Sequence, residues 1–193
     1  MQFILASANP HKAAEIAEIM ADERGIELIA RPPEVPDVDE TEATLEGNAL
    51  LKARALVAAT GIAAMADDTG LEVDSLGGAP GVFSARYAGE PSDAGANRAK
   101  LLLELDTQLL DRSRRASFRT VAVAVFPDGR EVVAHGVCSG TITLMERGNA
   151  GFGYDPIFVP DEGDGRTFAE MTADEKHAIS HRGRAFRALQ TLL

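Results

Sequence analysis

Apolar runs and amphipathic stretches alternate along the first third of the chain. Residues 3–6 are uninterruptedly apolar and predict a buried strand, and a short polar segment then leads into a helical pattern over residues 12–20. Within that pattern Ile16, Ile19 and Met20 fall on one stripe, the spacing of an amphipathic helix. Residues 26–29 predict a second strand. Strand, polar loop and helix in this order indicate an α/β protein.

The middle of the chain continues this alternation. Residues 31–43 are rich in proline and acidic side chains and predict an exposed loop. Thr44 is a good helix cap, and apolar residues at helical spacing follow it until Gly61 ends the helix. Residues 62–66 predict a short buried strand that leads directly into an acidic pair.

The next segment predicts a turn, a helix and then a β-hairpin. The turn is glycine-rich and covers residues 77–81, and the helix covers residues 93–110. Residues 116–126 and 130–143 alternate in polarity and are rich in Val and Thr, with an Asp-Gly turn between them. That pattern is typical of two paired strands.

The last part of the chain predicts one more strand and two helices. Residues 157–159 predict the strand, and a capping box at Thr172 and Glu175 starts a short helix. Ser180 is a cap for the final helix. The apolar stripe of that helix comprises Phe186, Leu189, Leu192 and Leu193. Since no repeat or flexible linker divides the chain, residues 1–193 predict a single α/β domain around one sheet.

Charge and composition narrow the class of ligand. A formal net charge of −11 argues against nucleic-acid binding, which needs a basic face. A phosphorylated small molecule needs only a few local cations and a metal ion. No apolar run could span a bilayer, and the N-terminus does not resemble a secretory signal. Cys138, the only cysteine, is predicted to be an inert strand residue. We therefore expect a cytoplasmic protein that binds neither membrane nor nucleic acid.

The acidic pair Asp67-Asp68 is the first candidate for chemistry. It follows a predicted buried strand and so lies where α/β proteins commonly bind ligands. Two adjacent, partly buried carboxylates repel each other and are tolerated when a cation accompanies them. Oxygen ligands of this kind favour Mg²⁺. The alternative is an ordinary turn, for which Asp-Asp-Thr-Gly is also suitable.

Two basic segments are candidates for holding phosphate. The loop from Ser7 to Lys12 precedes a helix N-terminus, where backbone N–H groups favour anions. It lacks the glycines of a P-loop or dinucleotide fingerprint, and an ordinary helix cap is its alternative. Lys52 lies on an otherwise apolar helix face and either points into a cleft or extends to solvent.

Two segments near the C-terminus are candidates for contacting a base. Phe152 lies between glycines in a predicted loop and can offer its ring face for stacking, or else fill the core. Lys176, His181 and Arg182 form a cationic, hydrogen-bonding group for a base or phosphate. A zinc site using His177 and His181 is disfavoured, because the zincin glutamate is missing.

Together these motifs make the chain similar to the inosine triphosphate pyrophosphatase family, over nearly its whole length. The matching motifs are Ala6-Ser7-Ala8-Asn9-Pro10-His11-Lys12, Gly47-Asn48-Ala49-Leu50-Leu51-Lys52-Ala53, Ala66-Asp67-Asp68-Thr69-Gly70-Leu71-Glu72-Val73, the stretch Leu76 to Tyr87, Gly151-Phe152-Gly153-Tyr154-Asp155-Pro156-Ile157-Phe158 and Ser180-His181-Arg182-Gly183. So many motifs in this order are highly specific.

The resemblance implies a fold and an activity. The implied fold is α/β, an elongated mixed β-sheet flanked by helices, in two lobes with a central active-site cleft, and the implied assembly is a homodimer. The implied activity is Mg²⁺-dependent hydrolysis of the non-canonical purine nucleotides ITP, dITP and XTP to the monophosphate and pyrophosphate, which clears them from the nucleotide pool.

The resemblance also implies roles for individual residues. The metal ligands are Glu40 and Asp68, and Asp68 is also the proton acceptor, supported by Asp67. The implied substrate contacts are Ser7, Ala8, Asn9, Pro10, His11, Lys12, Lys52, Thr69, Phe152, Gly153, Tyr154, Asp155, Lys176, His181 and Arg182. Of these, Lys176, His181 and Arg182 correspond to the group that reads the purine 6-oxo oxygen.

Two other functions are compatible with parts of the sequence. A related pyrophosphatase for modified pyrimidine or methylated nucleotides would share the phosphate site and differ at the base-contacting residues. A nucleotide-sensing module without turnover is disfavoured by the intact Asp67-Asp68 pair, since a sensor needs no water activator.

Overall fold

The computed structural model of the protein describes residues 1–21, 25–108 and 113–193. Within these residues the strands are β1 (Gln2–Leu5), β2 (Glu27–Ala30), β3 (Ala64–Val73), β4 (Pro80–Gly81), β5 (Arg115–Val125), β6 (Glu131–Ile142) and β7 (Phe158–Pro160). The helices are α1 (Pro10–Met20), α2 (Leu45–Thr60), α3 (Ala94–Thr107), α4 (Ala173–Ile179) and α5 (His181–Leu192).

The strands form a mixed sheet in the order β2-β1-β3-β5-β6-β7, with β4 paired to β3. Strand β1 is parallel to both β2 and β3, whereas the β3–β4 and β6–β7 pairs are antiparallel. This topology confirms the predicted α/β class with a mixed sheet. Among the described residues, no helix combines the length and hydropathy that crossing a bilayer requires.

The chain folds into two compact units that are discontinuous in sequence. The first comprises Met1–Asp68, Thr120–Gly136 and His181–Leu193, and the second comprises Thr69–Arg119 and Val137–Ser180. Strands β3, β5 and β6 each contribute residues to both units.

In the first unit, helices cover both faces of the sheet. Phe3 and Leu5 of β1 pack in one apolar cluster with residues of α1 and α5, whereas Ile4 and Ala6 pack in another with residues of α2. Successive side chains on a strand point to opposite faces. Both faces of β1 are buried in this way, which explains why its sequence is a continuous apolar run instead of an alternating one.

The second unit has its own aromatic core. Phe118 and Phe158 meet edge to face with ring centroids 4.7 Å apart, and Phe158 and Phe168 lie 5.2 Å apart. Cys138 on β6 is buried in this core, which confirms its prediction as a buried strand residue. This core supports the segments that carry the aromatic loop described below.

Most predicted caps and turns are confirmed. The Thr44 hydroxyl accepts the Gly47 N–H at 3.0 Å, and Gly61 ends α2 with a φ of 69°. The capping box of Thr172 and Glu175 is present at α4. At the hairpin turn the Phe126 N–H donates to the carbonyl oxygen of Arg130 at 2.9 Å.

The predicted end of the third strand is wrong. The sequence indicated a strand over residues 62–66 followed by a turn, but β3 runs to Val73, so Asp67 and Asp68 lie inside a strand. The reason is that Leu71 and Val73, both fully buried, continue the strand into the core of the second unit. The polar residues between the two apolar stretches resembled a turn only when read locally.

Other element boundaries differ from the prediction by smaller amounts, as α3 and β7 illustrate. Helix α3 has Asp93 as its N-cap and ends at Thr107, and residues 109 and 110 of the predicted helix lie outside the described residues. Ile157 belongs to a 3₁₀ turn, so β7 begins one residue later than predicted.

The predicted apolar stripe of the final helix is correct except at one position. Phe186 and Leu189 are fully buried, but Leu192 is 55% exposed. Leu192 follows Phe186 by six residues, which places it roughly 120° around a helix of about 3.6 residues per turn. Gln190 occupies the buried position instead.

Strand β6 approaches α5 so closely at Gly136 that this position has no room for a side chain. A Cβ at Gly136 would lie 2.0 Å from the His181 carbonyl oxygen and 2.5 Å from the Ala185 backbone nitrogen. Because both atoms are backbone, Gly136→Ala must displace α5, and we expect a loss of at least about 2 kcal/mol in the free energy of unfolding. Urea denaturation measures it. His135→Ala, at the exposed neighbouring position, is the control, and equal stabilities for the two variants would contradict this packing.

Candidate active site

The acidic pair of β3 lies just past the carboxyl end of β1. Strand β1 pairs with β3 at Leu5 and Met65, and the Ala6 N–H donates to the Met65 carbonyl oxygen at 2.8 Å. Asp67 and Asp68 follow this last contact and are each 4% exposed. Carboxylates beyond the end of a parallel strand occupy the position where open α/β sheets bind ligands.

The two carboxylates have different partners. The Lys52 ammonium of α2 lies 3.2 Å from Asp68 Oδ1. The Lys12 ammonium of α1 lies 3.5 Å from Asp67 Oδ2, and Arg182 Nε of α5 lies 3.3 Å from the same oxygen. Since neighbouring strand residues point to opposite faces, the pair is divided between α2 on one face and α1 with α5 on the other.

Lys52 also joins the acidic pair to the preceding loop. Its Nζ lies 2.9 Å from Glu40 Oε1 as well as 3.2 Å from Asp68 Oδ1. The sequence left open whether Lys52 points into the protein or to solvent, and its side chain is 12% exposed. We call Lys12, Glu40, Lys52, Asp67 and Asp68 the carboxylate–lysine cluster.

Burial and neighbouring charges shift the pKa values of this cluster. Burial raises the pKa of Asp68, and the Glu40 and Asp67 carboxylates raise it further against the opposing effect of the lysines. Burial likewise lowers the pKa of Lys12. Burial also lowers the pKa of Lys52, but the carboxylates outweigh it and the net shift is upward. Asp68 is thus a stronger base than an ordinary aspartate, which suits a proton acceptor.

The loop from Ser7 to Lys12 contains a helix cap. Asn9 Oδ1 accepts the N–H groups of His11 and Lys12 at 2.9 and 3.3 Å, and Pro10 occupies the first turn of α1. Ser7 donates its hydroxyl to the Asn9 carbonyl oxygen at 3.3 Å.

That loop brings one of its side chains to the acidic pair. Ala8, Asn9, Pro10 and His11 are exposed, whereas Lys12 is half-buried and reaches Asp67. The cap explains Asn9 locally, and through the start of α1 it fixes where Lys12 lies.

In the second unit, one carboxylate organises the aromatic loop, residues 151–156. Asp155 Oδ2 accepts the Phe152 N–H at 2.8 Å and the Lys176 ammonium at 2.7 Å. The same ammonium lies 5.0 Å from the centre of the half-buried Phe152 ring. Arg98 of α3 donates to the Gly153 carbonyl oxygen at 2.8 Å.

The remaining predicted residues have mixed environments. Tyr154 is a core residue whose hydroxyl donates to the Ser84 carbonyl oxygen at 2.9 Å, and its ring packs in the core of the second unit. Thr69 is half-buried on β3, directly after Asp68. His181, 2% exposed, is the first residue of α5.

Arg182 is held within the first unit by two carboxylates. It is 2% exposed, its Nη1 pairs with Glu15 of α1 at 2.5 Å, and its Nε pairs with Asp67. Sequence reasoning missed Glu15, although it follows Lys12 by three residues and so shares a face of α1.

Two further residues with contacts to these groups were also missed. Asn48 is fully buried on α2 and its amide donates to Asp68 Oδ2 at 3.4 Å. It precedes Lys52 by four residues, the spacing that places two side chains on one helix face, so a helical projection would have found it. Arg98 carries no comparable sequence signal, because its contact is to a backbone carbonyl 55 residues away.

Glu40 and Asp68 of the carboxylate–lysine cluster are ligands of the chemical type that Mg²⁺ takes in proteins. Because Glu40 Oε1 and Asp68 Oδ1 lie 2.9 and 3.2 Å from one nitrogen, they are at most about 6 Å apart. Among the described residues, no group of three His, Cys, Asp or Glu side chains could hold a metal alone. Mg²⁺ usually takes one or two carboxylates and completes its shell with water and phosphate oxygens.

This geometry defines an α/β protein with a candidate site for a phosphorylated ligand, and comparison with known proteins gives the family. The chain matches the sequence model of the Ham1 family over residues 3–192. It therefore belongs to the Ham1 family, which confirms the resemblance drawn from its motifs.

Similar proteins have been named by activity. A protein of Streptomyces coelicolor named dITP/XTP pyrophosphatase is 50% identical over 192 residues, which cover 97% of this chain and 94% of that protein. A protein of Elusimicrobium minutum with the same name is 47% identical, covering 98% of each chain. A HAM1 protein structure from Coxiella burnetii superposes with a TM-score of 0.89 at 41% identity, covering 100% of this chain and 98% of that one.

Glu175, next to Lys176 on α4, is expected to make the stability of the fold depend on pH. Hydrogen bonds from Arg166 and from the Thr172 backbone lower the pKa of Glu175 to about 2, against about 4.3 for an unfolded glutamate. Because the pKa of Glu175 is lower in the folded than in the unfolded state, its ionised carboxylate stabilises the folded protein at pH values above about 4.3. This contribution to the free energy of unfolding is lost as the pH falls from about 4.3 towards about 2.

We therefore expect Glu175→Gln to lower the melting temperature at pH 6 and to have a smaller effect at pH 3. Circular dichroism at 222 nm measures both values. Asp174→Asn, at the adjacent exposed position, is the control. A deficit in Glu175→Gln that stays constant with pH would contradict this linkage.

Proposed function

We propose that this protein hydrolyses the non-canonical purine nucleoside triphosphates ITP, dITP and XTP at the α-phosphorus, releasing the monophosphate and pyrophosphate. The observation that carries the proposal is the buried acidic pair, in which the Asp68 carboxylate lies 3.2 Å from the Lys52 ammonium group and the Asp67 carboxylate lies 3.5 Å from the Lys12 ammonium group. Its substrate class is supported by full-length relatives named dITP/XTP pyrophosphatase.

The proposed reaction is an in-line displacement by water. Asp68 accepts a proton from the water, whose oxygen forms a bond to the α-phosphorus. The bond between that phosphorus and the oxygen bridging to the β-phosphorus breaks, and pyrophosphate leaves with the electron pair. Asp68 suits this role because burial raises its pKa and so makes its carboxylate more basic.

Lys12 and Lys52 are the proposed phosphate contacts. Both now pair with carboxylates, Lys12 with Asp67 and Lys52 with Glu40 and Asp68. On substrate binding, each ammonium would gain phosphate oxygens as partners. Ammonium groups that are already in place next to the leaving pyrophosphate stabilise the negative charge of the transition state, because the site need not rearrange during the reaction.

Glu40 and Asp68 are the proposed ligands of a magnesium ion. When bound, the ion would neutralise charge on the phosphate oxygens and polarise the phosphorus they surround. Carboxylates that are already held close to one nitrogen are suitably placed to share such an ion.

The base is assigned to the aromatic loop. The Phe152 ring is the proposed stacking surface, and the Lys176 ammonium beside it is a donor for the purine 6-oxo oxygen. The family resemblance adds His181 and Arg182 to this group. Adenine presents an amino group at this position and would leave the donors unpaired, a mismatch that can discriminate by orders of magnitude.

The wider assignments follow from the same reasoning. The family resemblance supports a homodimer, and the composition supports a cytoplasmic enzyme. The alternative activities on modified pyrimidines, or in nucleotide sensing without turnover, are not favoured by relatives named for dITP and XTP.

A product and isotope assay tests the proposal. Purified protein with Mg²⁺ is given ITP, XTP, dITP, ATP or dTTP in ¹⁸O-labelled water, and pyrophosphate and orthophosphate are measured separately. We expect pyrophosphate, with ¹⁸O in the nucleoside monophosphate, and rates on ITP at least about a hundredfold above those on ATP.

Each readout can fail on its own. Orthophosphate with a nucleoside diphosphate as product would refute attack at the α-phosphorus. Label in pyrophosphate would refute the assigned bond cleavage. Equal rates on ATP would refute selection through the 6-oxo oxygen.

A further inference from the structure

Helix α2 contains, close to its N-terminus, two residues that helices disfavour. Gly47 and Asn48 are the third and fourth residues of α2, where Ala or Leu would make the helix more stable. Asn48 is also fully buried. A buried amide is costly unless its groups are hydrogen-bonded, so the contacts of Asn48 explain its presence.

The Asn48 amide joins the loop that bears Glu40 to the acidic strand. Its Oδ1 accepts the Glu42 N–H at 2.9 Å, and its Nδ2 donates to Asp68 Oδ2 at 3.4 Å. The partners fix the orientation of the amide, because a flipped group would place its NH₂ against an N–H and its oxygen against a carboxylate.

Gly47 allows the loop to approach this closely. A Cβ at Gly47 would lie 2.8 Å from Glu42 Cβ and 3.1 Å from Thr44 Oγ1. Both atoms belong to the segment that returns from Glu40 into α2. The two residues unfavourable for a helix therefore serve one arrangement, in which Gly47 makes room for the loop and Asn48 binds it.

We propose that Asn48 is a positioning residue that holds the loop of Glu40 against Asp68, so that both carboxylates stay gathered around Lys52. Asn48 acts at one end on the backbone two residues after Glu40 and at the other on Asp68 itself. The inference rests on the proposed function and adds to it a residue that orders the proposed magnesium ligands before substrate arrives.

The physical benefit is preorganisation. Residues 31–43 form neither helix nor strand, so Glu40 has no regular element to fix its position. Ordering a loop side chain during binding lowers affinity by the entropy it loses. Replacing a residue that hydrogen-bonds to a metal ligand typically lowers metal affinity about 10–100-fold.

Separate substitutions cut the two ends of the bridge. Asn48→Asp keeps an oxygen for the Glu42 N–H but sets a carboxylate against Asp68. Glu42→Pro removes the N–H while keeping the Asn48–Asp68 contact. Glu42→Ala is the matched control for the second, because it shortens the same exposed side chain and retains the N–H.

The first readout requires no catalysis. Hydrogen exchange in the free protein is followed across residues 40–43, with circular dichroism as the check on folding. We expect faster exchange in this segment for Asn48→Ala than for wild type or Glu42→Ala, and near wild-type exchange for Asn48→Asp, which keeps an acceptor for the Glu42 N–H. Calorimetric titration with Mg²⁺ alone should show affinity lowered about tenfold or more in Asn48→Ala and Glu42→Pro.

The second readout separates positioning from general damage. With ITP as substrate, we expect kcat of Asn48→Ala and Glu42→Pro to fall and the Mg²⁺ concentration that gives half the maximal rate to rise about tenfold. The KM for ITP at saturating Mg²⁺ should change by less than about twofold. Should Asn48→Ala fail to fold, Glu42→Pro tests the same link from the exposed loop.

Unchanged exchange across residues 40–43 in Asn48→Ala, or unchanged Mg²⁺ affinity in both Asn48→Ala and Glu42→Pro, would overturn the proposal. Failure of the proposed function is distinguishable, since it would appear as no turnover of ITP by the wild-type protein. The exchange and Mg²⁺ titrations on the free protein would still decide the role of Asn48.

Discussion

The burial of two carboxylates in the middle of a strand is the constraint on which the first unit depends. Removing an ionised carboxylate from water costs several kcal/mol unless it is paired and hydrogen-bonded. Asp67 and Asp68 are both almost fully buried, so the surrounding elements must bring cations to them. Helices α1, α2 and α5 do so with Lys12, Lys52 and Arg182.

Strand geometry determines how those cations are divided. Adjacent residues on β3 face opposite sides, so the pair requires helices on both faces of the sheet. The apolar sequence of β1 packs against the same helices, with alternate residues in two separate clusters. The packing that buries the sheet thus also places the charges, and the site is a consequence of the layered fold.

A cluster of paired charges is suited to exchanging partners. Lys12 and Lys52 are held by carboxylates in the free protein, and a triphosphate would offer them more negative charge than the carboxylates do. Glu40 and Asp68 would at the same time be available to a magnesium ion. The proposed reaction therefore needs few new charges to be assembled, because the ions present change partners within a site that is already organised.

Sequence patterns predicted the elements better than their ends. The run at residues 3–6, the caps at Thr44 and Gly61 and the hairpin were predictable, because each depends on local chemistry. The continuation of β3 was not, since Leu71 and Val73 extend it only through packing in the second unit. Leu192 was assigned to the wrong face, because the stripe was read too broadly around the helix.

The candidate site shows the same limit. The family resemblance named Lys12, Glu40, Lys52, Asp67 and Asp68, and the structure brings all five together, although no periodicity predicts the position of Glu40 in its proline-rich loop. Which cation serves which carboxylate follows from the faces of β3, so it required the strand to be recognised. Asn48 and Glu15 lay at helical spacing from the two lysines and were overlooked because neither is chemically conspicuous in a motif.

The most direct test of the central claim is Asp68→Asn. This substitution keeps the size of the side chain and removes its ability to take a proton, so turnover of ITP should fall by at least about a thousandfold, while circular dichroism and melting show an intact fold. Asp161→Asn, which removes an exposed carboxylate paired with Arg115 at 2.6 Å, is the control and should retain wild-type turnover. Substantial activity in Asp68→Asn would contradict the account and move the reactive centre away from this residue.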